Sequence, residues 1–197
     1  MPDLIGQIRD ALAHNGAETS DFDLNPDVEL PLGRALRPAG VLAPIVRRND
    51  DWHLLLTKRS SALKHHPGQI AFPGGKQDDT DADVIAAALR EAEEEIGLPR
   101  HLVEVLGTLP AHETVTGFSV TPVFAFVSDT FTVIPEPGEV DEVFSVPLSH
   151  VLAPENYIIE SRRWRGTRRH YFTVPYGPYY IWGATARMLR AWAERMT

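Results

Sequence analysis

The feature that most constrains this chain is one helix whose ends and faces can be read from residues 74 to 98, GGKQDDTDADVIAAALREAEEEIGL. Asp81 or Asp83 supplies the N-cap, because a short carboxylate can accept the free N–H groups of the first turn. Gly97 supplies the left-handed C-terminal cap, with Pro99 just beyond to stop continuation. Between them Ile85, Ala88, Leu89, Ala92 and Ile96 recur at spacings of three and four, which predicts one buried stripe. Glu91, Glu94 and Glu95 also share a face, read as lying roughly opposite that stripe, while Glu93 points to solvent. Like charges one turn apart destabilise a helix. The cluster is therefore either a well-solvated face or a site for a cation.

Around this helix the chain divides into short elements. Leu4, Ile5, Ile8 and Leu12 predict an N-terminal helix stopped near Gly16, followed by a polar, proline-containing link to Pro38. Residues 1–38 are thus expected to pack on a single domain spanning 39–197. GVLAPIV (40–46) and HLLLTKR (53–59) read as strands joined by a turn at Asn49-Asp50-Asp51. IAF, LVEVLGTL, TPVFAFVS and FTVIP read as further strands, and EVDEVFSVPLSHVL as a strand running into a short helix. Residues 157–183 suggest a hairpin and one more short strand, and Ala184 to Met196 a closing amphipathic helix. Strands and helices mix without regular alternation, so the expected class is α+β, or a sandwich built on a mixed sheet.

Composition removes several function classes. The formal net charge is −8, which argues against broad electrostatic binding to nucleic acid or anionic membrane. No cysteine is present, so neither disulfides nor thiolate chemistry is available, and a cytoplasmic setting is expected. No apolar run reaches the length of a membrane span, and the first residues lack the apolar core of a signal peptide.

Three carboxylates on one helix face suit hard divalent cations, which prefer oxygen donors. Arg90 is placed to orient one of them through a bidentate pair, and Gly74-Gly75 allow backbone to approach closely. Asp78, Asp79 and Asp81 add further oxygen donors nearby. The plainer reading is a Glu-rich solvated helix after an ordinary turn.

The combination is more specific than its parts. Residues 75 to 98 resemble the Nudix box, G-x5-E-x7-R-E-U-x-E-E-x-G-U, where U is aliphatic. Arg90 to Leu98 fit it, with Ala92 at the first aliphatic position. Two departures stand in the first half: Asp81 replaces the first glutamate, and eight residues rather than seven separate it from Arg90. Residues 55 to 75, LLTKRSSALKHHPGQIAFPGG, resemble the signature of the coenzyme A pyrophosphatase branch, L-L-T-x-R-[SA]-x3-R-x3-G-x3-F-P-G-G. Lys64 stands where that pattern has arginine, keeping the charge but losing the planar donor fork.

The resemblance implies a Nudix α/β/α sandwich with a mixed sheet. It implies Mg²⁺- or Mn²⁺-dependent hydrolysis of the pyrophosphate of coenzyme A or its derivatives. The metal ligands it implies are Glu91, Glu94 and Glu95, and the catalytic residues Glu94, Arg90 and Glu91. The substrate contacts it implies are Arg59, Lys64, Gly74 and Gly75. The general base is open between Glu94 and a loop glutamate, Glu113, Glu139 or Glu142. Two other readings stay open: hydrolysis of ADP-ribose, NADH or another nucleotide, and a Nudix-fold binding module without turnover. The expected partner is a small-molecule substrate, with neither nucleic acid nor membrane. RRWRGTRRH (162–170) reads as a solvated basic hairpin, and YGPYYIWG (176–183) as apolar enough for a homodimer contact.

Overall fold

The computed structural model describes residues 4–14, 16–28, 33–164 and 166–196. Parts of the N-terminal link (29–32) and Arg165 of the basic segment lie outside the described residues. In chain order the elements are α1 (Leu4–Ala13), β1 (Thr19–Ser20), β2 (Arg37–Arg48), β3 (Asp51–Arg59), β4 (Ile70–Ala71), β5 (Gly74–Lys76) and α2 (Val84–Ile96). There follow β6 (Val103–Thr108), β7 (His112–Glu113), β8 (Phe118–Val127), β9 (Val140–Pro147), α3 (Leu148–Val151), β10 (Ile158–Trp164), β11 (Thr167–Thr173) and α4 (Ala184–Met196).

One mixed sheet organises the fold. β2 and β8 pair in parallel at its centre, β3 joins β2 antiparallel, and β9 and β4 pair with β3. The β2–β3 hairpin closes on the pair Arg48 and Asp51, leaving Asn49 and Asp50 as a two-residue turn with φ of 50° and 63°. That left-handed conformation is why an Asn-Asp sequence occurs there. Both faces of the central strands are covered, so they read as continuous apolar runs rather than alternating ones. Leu54 and Leu56 pack toward α1 and α4 with Phe124, Leu189 and Trp192, and Leu55 packs toward α2 with Leu42, Ala88, Ala92 and Ile96. Ile96 is fully buried, so truncation to alanine would cost about 2–5 kcal/mol. The result is an α+β sandwich, helices on both faces of a mixed sheet, as the pattern of elements predicts.

α2 lies close on the sheet because β2 carries glycine beneath it. A Cβ at Gly40 would stand 1.9 Å from the Val84 carbonyl oxygen. Asp83 is the N-cap, its Oδ1 accepting from the Ala86 N–H at 2.8 Å, and Gly97 closes the helix at φ 70°.

Four expectations are corrected. FTVIP forms no strand: residues 128–137 run as coil, with Ile134 and Glu136 donating their N–H groups to the carbonyls of Ile96 and Glu95 at 3.1 and 2.9 Å. Pro135 and Pro137 flank those bonds and lack the donors a sheet ladder needs. The link after α1 contains a short strand, β1, which pairs in parallel with β7. The last short strand near 174–182 is replaced by two isolated bridges, Thr173–Trp182 and Tyr176–Tyr179. Finally, the three glutamates do not all lie opposite the buried stripe: Glu94 is exposed, but Glu95 is buried at 6% exposure and Glu91 is half-buried.

Candidate functional site

The PGG turn and α2 form one unit. β5 runs antiparallel to the start of β2, pairing Gly75 with Gly40 and Gly74 with Val41. That pairing lays the Gly74-Gly75 backbone against α2. The Gly74 N–H donates to Glu95 Oε2 at 3.0 Å. A Cβ at Gly75 would meet the Glu91 carboxyl carbon and Oε1 at 2.7 Å. Glycine at 75 therefore leaves the space that the Glu91 carboxylate occupies.

Burial makes these carboxylates reluctant to ionise. Desolvation pushes Glu95 up to about 7, opposed by the Gly74 N–H and reinforced by the charges of Glu91 and Glu139. Glu91 is also raised, first by desolvation, with Arg90 pulling the other way. A half-buried and a buried carboxylate, both raised by desolvation, have the donor chemistry of a hard-cation site, where a divalent charge would replace the missing solvation. The residues present thus fit Mg²⁺ or Mn²⁺ at Glu91 and Glu95. Glu94 is exposed and leans toward Arg90, which holds its Oε2 at 3.0 Å. Among the described residues no three acidic or imidazole groups converge on one metal position.

Arg90 ties the acidic loop to the helix. Its Nε and Nη2 donate to Asp81 Oδ1 and Oδ2 at 3.0 and 2.9 Å, and its Nη1 donates to Glu91 Oε1 at 2.9 Å. The bidentate partner of Arg90 is thus Asp81, not a glutamate of its own helix. The pair holds the Asp81 carboxyl down at about 2, helped by the Asp78 N–H at 2.9 Å. Asp81 also lies outside the helix, so it is neither cap nor member of the glutamate face.

The 55–75 stretch frames the same region. β3 carries Thr57 and Arg59 toward the α2 side, and Thr57 Oγ1 donates to the Ala71 carbonyl at 3.1 Å, pinning β4 in place. The loop between β3 and β4 closes on the peptide groups of Arg59, with Arg59 N–H to Gln69 O and Gly68 N–H to Arg59 O, both at 3.0 Å. The charge of Arg59 reaches Glu95 and His66. Its Nε is buried without a hydrogen-bond partner among the described residues. Lys64 is exposed on the loop, as are His65 and His66.

The structure separates the three loop glutamates. Glu139 acts electrostatically on both Glu91 and Glu95, and its carbonyl accepts the Ser60 N–H at 2.8 Å. Glu113 pairs with Arg34 at 3.2 Å. Glu142 accepts a hydrogen bond from the Tyr179 hydroxyl and stands opposite Lys58 in the β3–β9 register. Sequence position alone did not rank them. One supporting contact was not read from the sequence, that of Asp141, whose Oδ2 accepts the Ser61 N–H at 2.9 Å.

The domain family whose model matches this chain is the NUDIX domain, over residues 36–165. This chain belongs to the Nudix family. It is 46% identical over 154 residues to an uncharacterized Nudix hydrolase, NudL, of Enterobacter sp. (strain 638), covering 78% of this chain and 80% of that one. The corresponding NudL of Escherichia coli O1:K1 / APEC is 47% identical over the same length, with the same coverage. Among solved structures, the Nudix hydrolase RenU from M. smegmatis superposes with a TM-score of 0.50 at 24% identity, covering 58% of this chain and 73% of that one. The RenU likeness concerns the fold alone. Chemistry in a Nudix hydrolase is directed at pyrophosphate-containing substrates.

Proposed function

We propose that this Nudix hydrolase cleaves the pyrophosphate of coenzyme A and its derivatives, releasing 3′,5′-ADP and 4′-phosphopantetheine or its acylated form. One observation carries the reading. The stretch that resembles the coenzyme A pyrophosphatase signature begins and ends at the candidate site. Arg59, near its start, holds a buried Nε with no hydrogen-bond partner among the described residues, and Gly74-Gly75, at its end, lie against Glu95 and Glu91.

The roles follow from charge. Glu91 and Glu95 would hold Mg²⁺ or Mn²⁺, with Glu94 close by on the same turn. When bound, such an ion offsets the charge of the diphosphate and makes the attacking water more acidic. Arg59 meets a phosphate oxygen, and the neighbouring loop carries Lys64 as a second, mobile-headed cation. Arg90 does not touch substrate in this scheme: it fixes Glu91 and Glu94 from behind while Asp81 fixes it. Glu139, facing the Glu91–Glu95 pair from the loop before β9, takes the proton of the attacking water. The water oxygen bonds to one phosphorus, the bridging P–O bond breaks, and the leaving phosphate departs with the bridging oxygen. Phosphoryl transfer of this kind is mostly positioning and charge stabilisation.

The test is chromatographic. Coenzyme A incubated with the protein and Mg²⁺ or Mn²⁺ should yield 3′,5′-ADP and 4′-phosphopantetheine, and a chelator should stop it. Cleavage of ADP-ribose or NADH with coenzyme A left intact would keep the family chemistry and reject this substrate.

A further inference from the structure

A second concavity lies on the other face of the sheet from α2. Along β3 the side chains alternate, so Arg59 faces α2 while Lys58 faces the α4 side. There Lys58, Ile70, Glu142, Tyr179, Tyr180 and Trp182 line a groove of about 400 Å³. That volume falls within the usual range for small-molecule sites. The groove begins one residue from Arg59, at the strand ends where the β3–β4 loop turns over. A substrate whose diphosphate sits at Glu91, Glu95 and Arg59 would have to cross the β3–β4 loop, which closes on Arg59 between the two regions, to reach the groove.

The walls are held in place by specific contacts. Tyr179 stacks on Phe144 of β9, centroids 3.5 Å apart and planes within 7°, and its hydroxyl donates to Glu142. The Tyr180 hydroxyl donates to Glu160 at 2.6 Å, and Arg162 lies 4.2 Å from the centre of the Trp182 ring. Tyr180 and Trp182 meet at 34°, which makes a trough rather than a parallel slot for a flat base. Tyr180 remains 42% exposed although it is a large aromatic.

Charge selects the occupant. Of the lining residues Lys58 and Glu142 are the charged ones, and they stand opposite each other across β3 and β9. Above the rim the β10–β11 hairpin is basic, with Arg162 opposite Arg169 in its register and Glu160 taken by the Tyr180 hydroxyl. Within the lining itself one positive and one negative charge offset each other, so the groove proper gathers no cluster of cations. The groove instead offers aromatic faces for aliphatic chain and carboxylate and hydroxyl oxygens for amide N–H groups.

We infer that this groove is the subsite for the uncharged, amide-bearing pantetheine arm of the substrate, so that the molecule straddles the sheet end with its arm on the α4 side. The inference rests on the coenzyme A reading and adds a place for one half of that substrate. It also gives a role to Tyr180, the exposed aromatic of the YGPYYIWG segment.

The test uses the two halves separately. Binding of 4′-phosphopantetheine and of 3′,5′-ADP is measured by calorimetry on the full protein, for wild type, Tyr180→Ala and Tyr179→Ala. Circular dichroism checks that each variant is folded. Tyr180 is exposed, so its removal leaves the core intact even if Tyr179→Ala does not fold. The inference predicts roughly tenfold weaker 4′-phosphopantetheine binding with 3′,5′-ADP unchanged. Weakened 3′,5′-ADP binding would place the nucleotide in the groove and overturn it. Equal binding of both ligands by all folded variants, or no 4′-phosphopantetheine binding by wild type, would overturn it too. Failure of wild type to cleave coenzyme A is read separately and counts against the substrate assignment.

Discussion

Arg90 and Asp81 form a two-pronged ion pair, Nε to Oδ1 at 3.0 Å and Nη2 to Oδ2 at 2.9 Å, that joins the acidic loop to the middle of α2. The same guanidinium reaches Glu91 and Glu94. A lysine at this position keeps the charge but cannot hold the loop and two glutamates at once. Arg90→Lys should lower kcat roughly 10- to 100-fold through misplaced carboxylates, with a smaller change in KM. Steady-state kinetics check this, and a wild-type kcat would remove Arg90 from the positioning role.

Glu95 makes stability and metal binding depend on pH in opposite senses. Its pKa is raised to about 7 in the folded chain by burial, against an ordinary value near 4.3 unfolded. Between those values the folded state keeps a proton the unfolded state has lost. Metal-free stability is therefore greatest below the lower value and falls as pH rises to about 7, by at most about 4 kcal/mol. Glu95→Gln should flatten that slope in denaturant melts run with chelator. It should also lower the metal-dependent rate at least about a hundredfold. Unchanged metal affinity and unchanged rate in a titration of the variant would exclude Glu95 from the site.

Gly75 is a test of space rather than charge. A methyl group there would press on the Glu91 carboxyl at 2.7 Å, a flexible end that can swing away. Gly75→Ala should therefore stay folded, with a melting temperature within a few degrees of wild type, and lose roughly tenfold or more in kcat. Loss of folding instead would show that the residue serves the turn and not the site.

Glu139→Gln should reduce kcat on the order of a hundredfold with metal affinity retained, whereas Glu113→Gln, whose partner is Arg34, should remain near wild type. The reverse ranking would move the base away from the loop before β9.

Much of this architecture could be read from residues. The β2–β3 hairpin, α2 and α4 were legible because their caps, turns and periodicity are local and agree with one another. The face of Glu95 was set too far round. Glu95 follows buried Ala88 by seven residues and buried Ala92 by three, so helical geometry already places it at the flank of the apolar stripe rather than opposite it. What the sequence does not contain is the Gly74 N–H that meets it there. The role of Asp81 stayed open between cap and oxygen donor, since its partner Arg90 lies nine positions away and the pairing depends on how the loop folds back. FTVIP carried apolar, β-branched residues, yet its backbone donors are taken by the end of α2. Of the candidate site, residue types were visible in the sequence, while the ranking of Glu139 over Glu113 and Glu142 required the fold.

The most direct test of the account is kcat/KM for coenzyme A measured beside dephospho-coenzyme A, ADP-ribose and NADH under one metal condition. The account predicts metal-dependent cleavage with coenzyme A preferred. Equal or greater kcat/KM for ADP-ribose or NADH would contradict it.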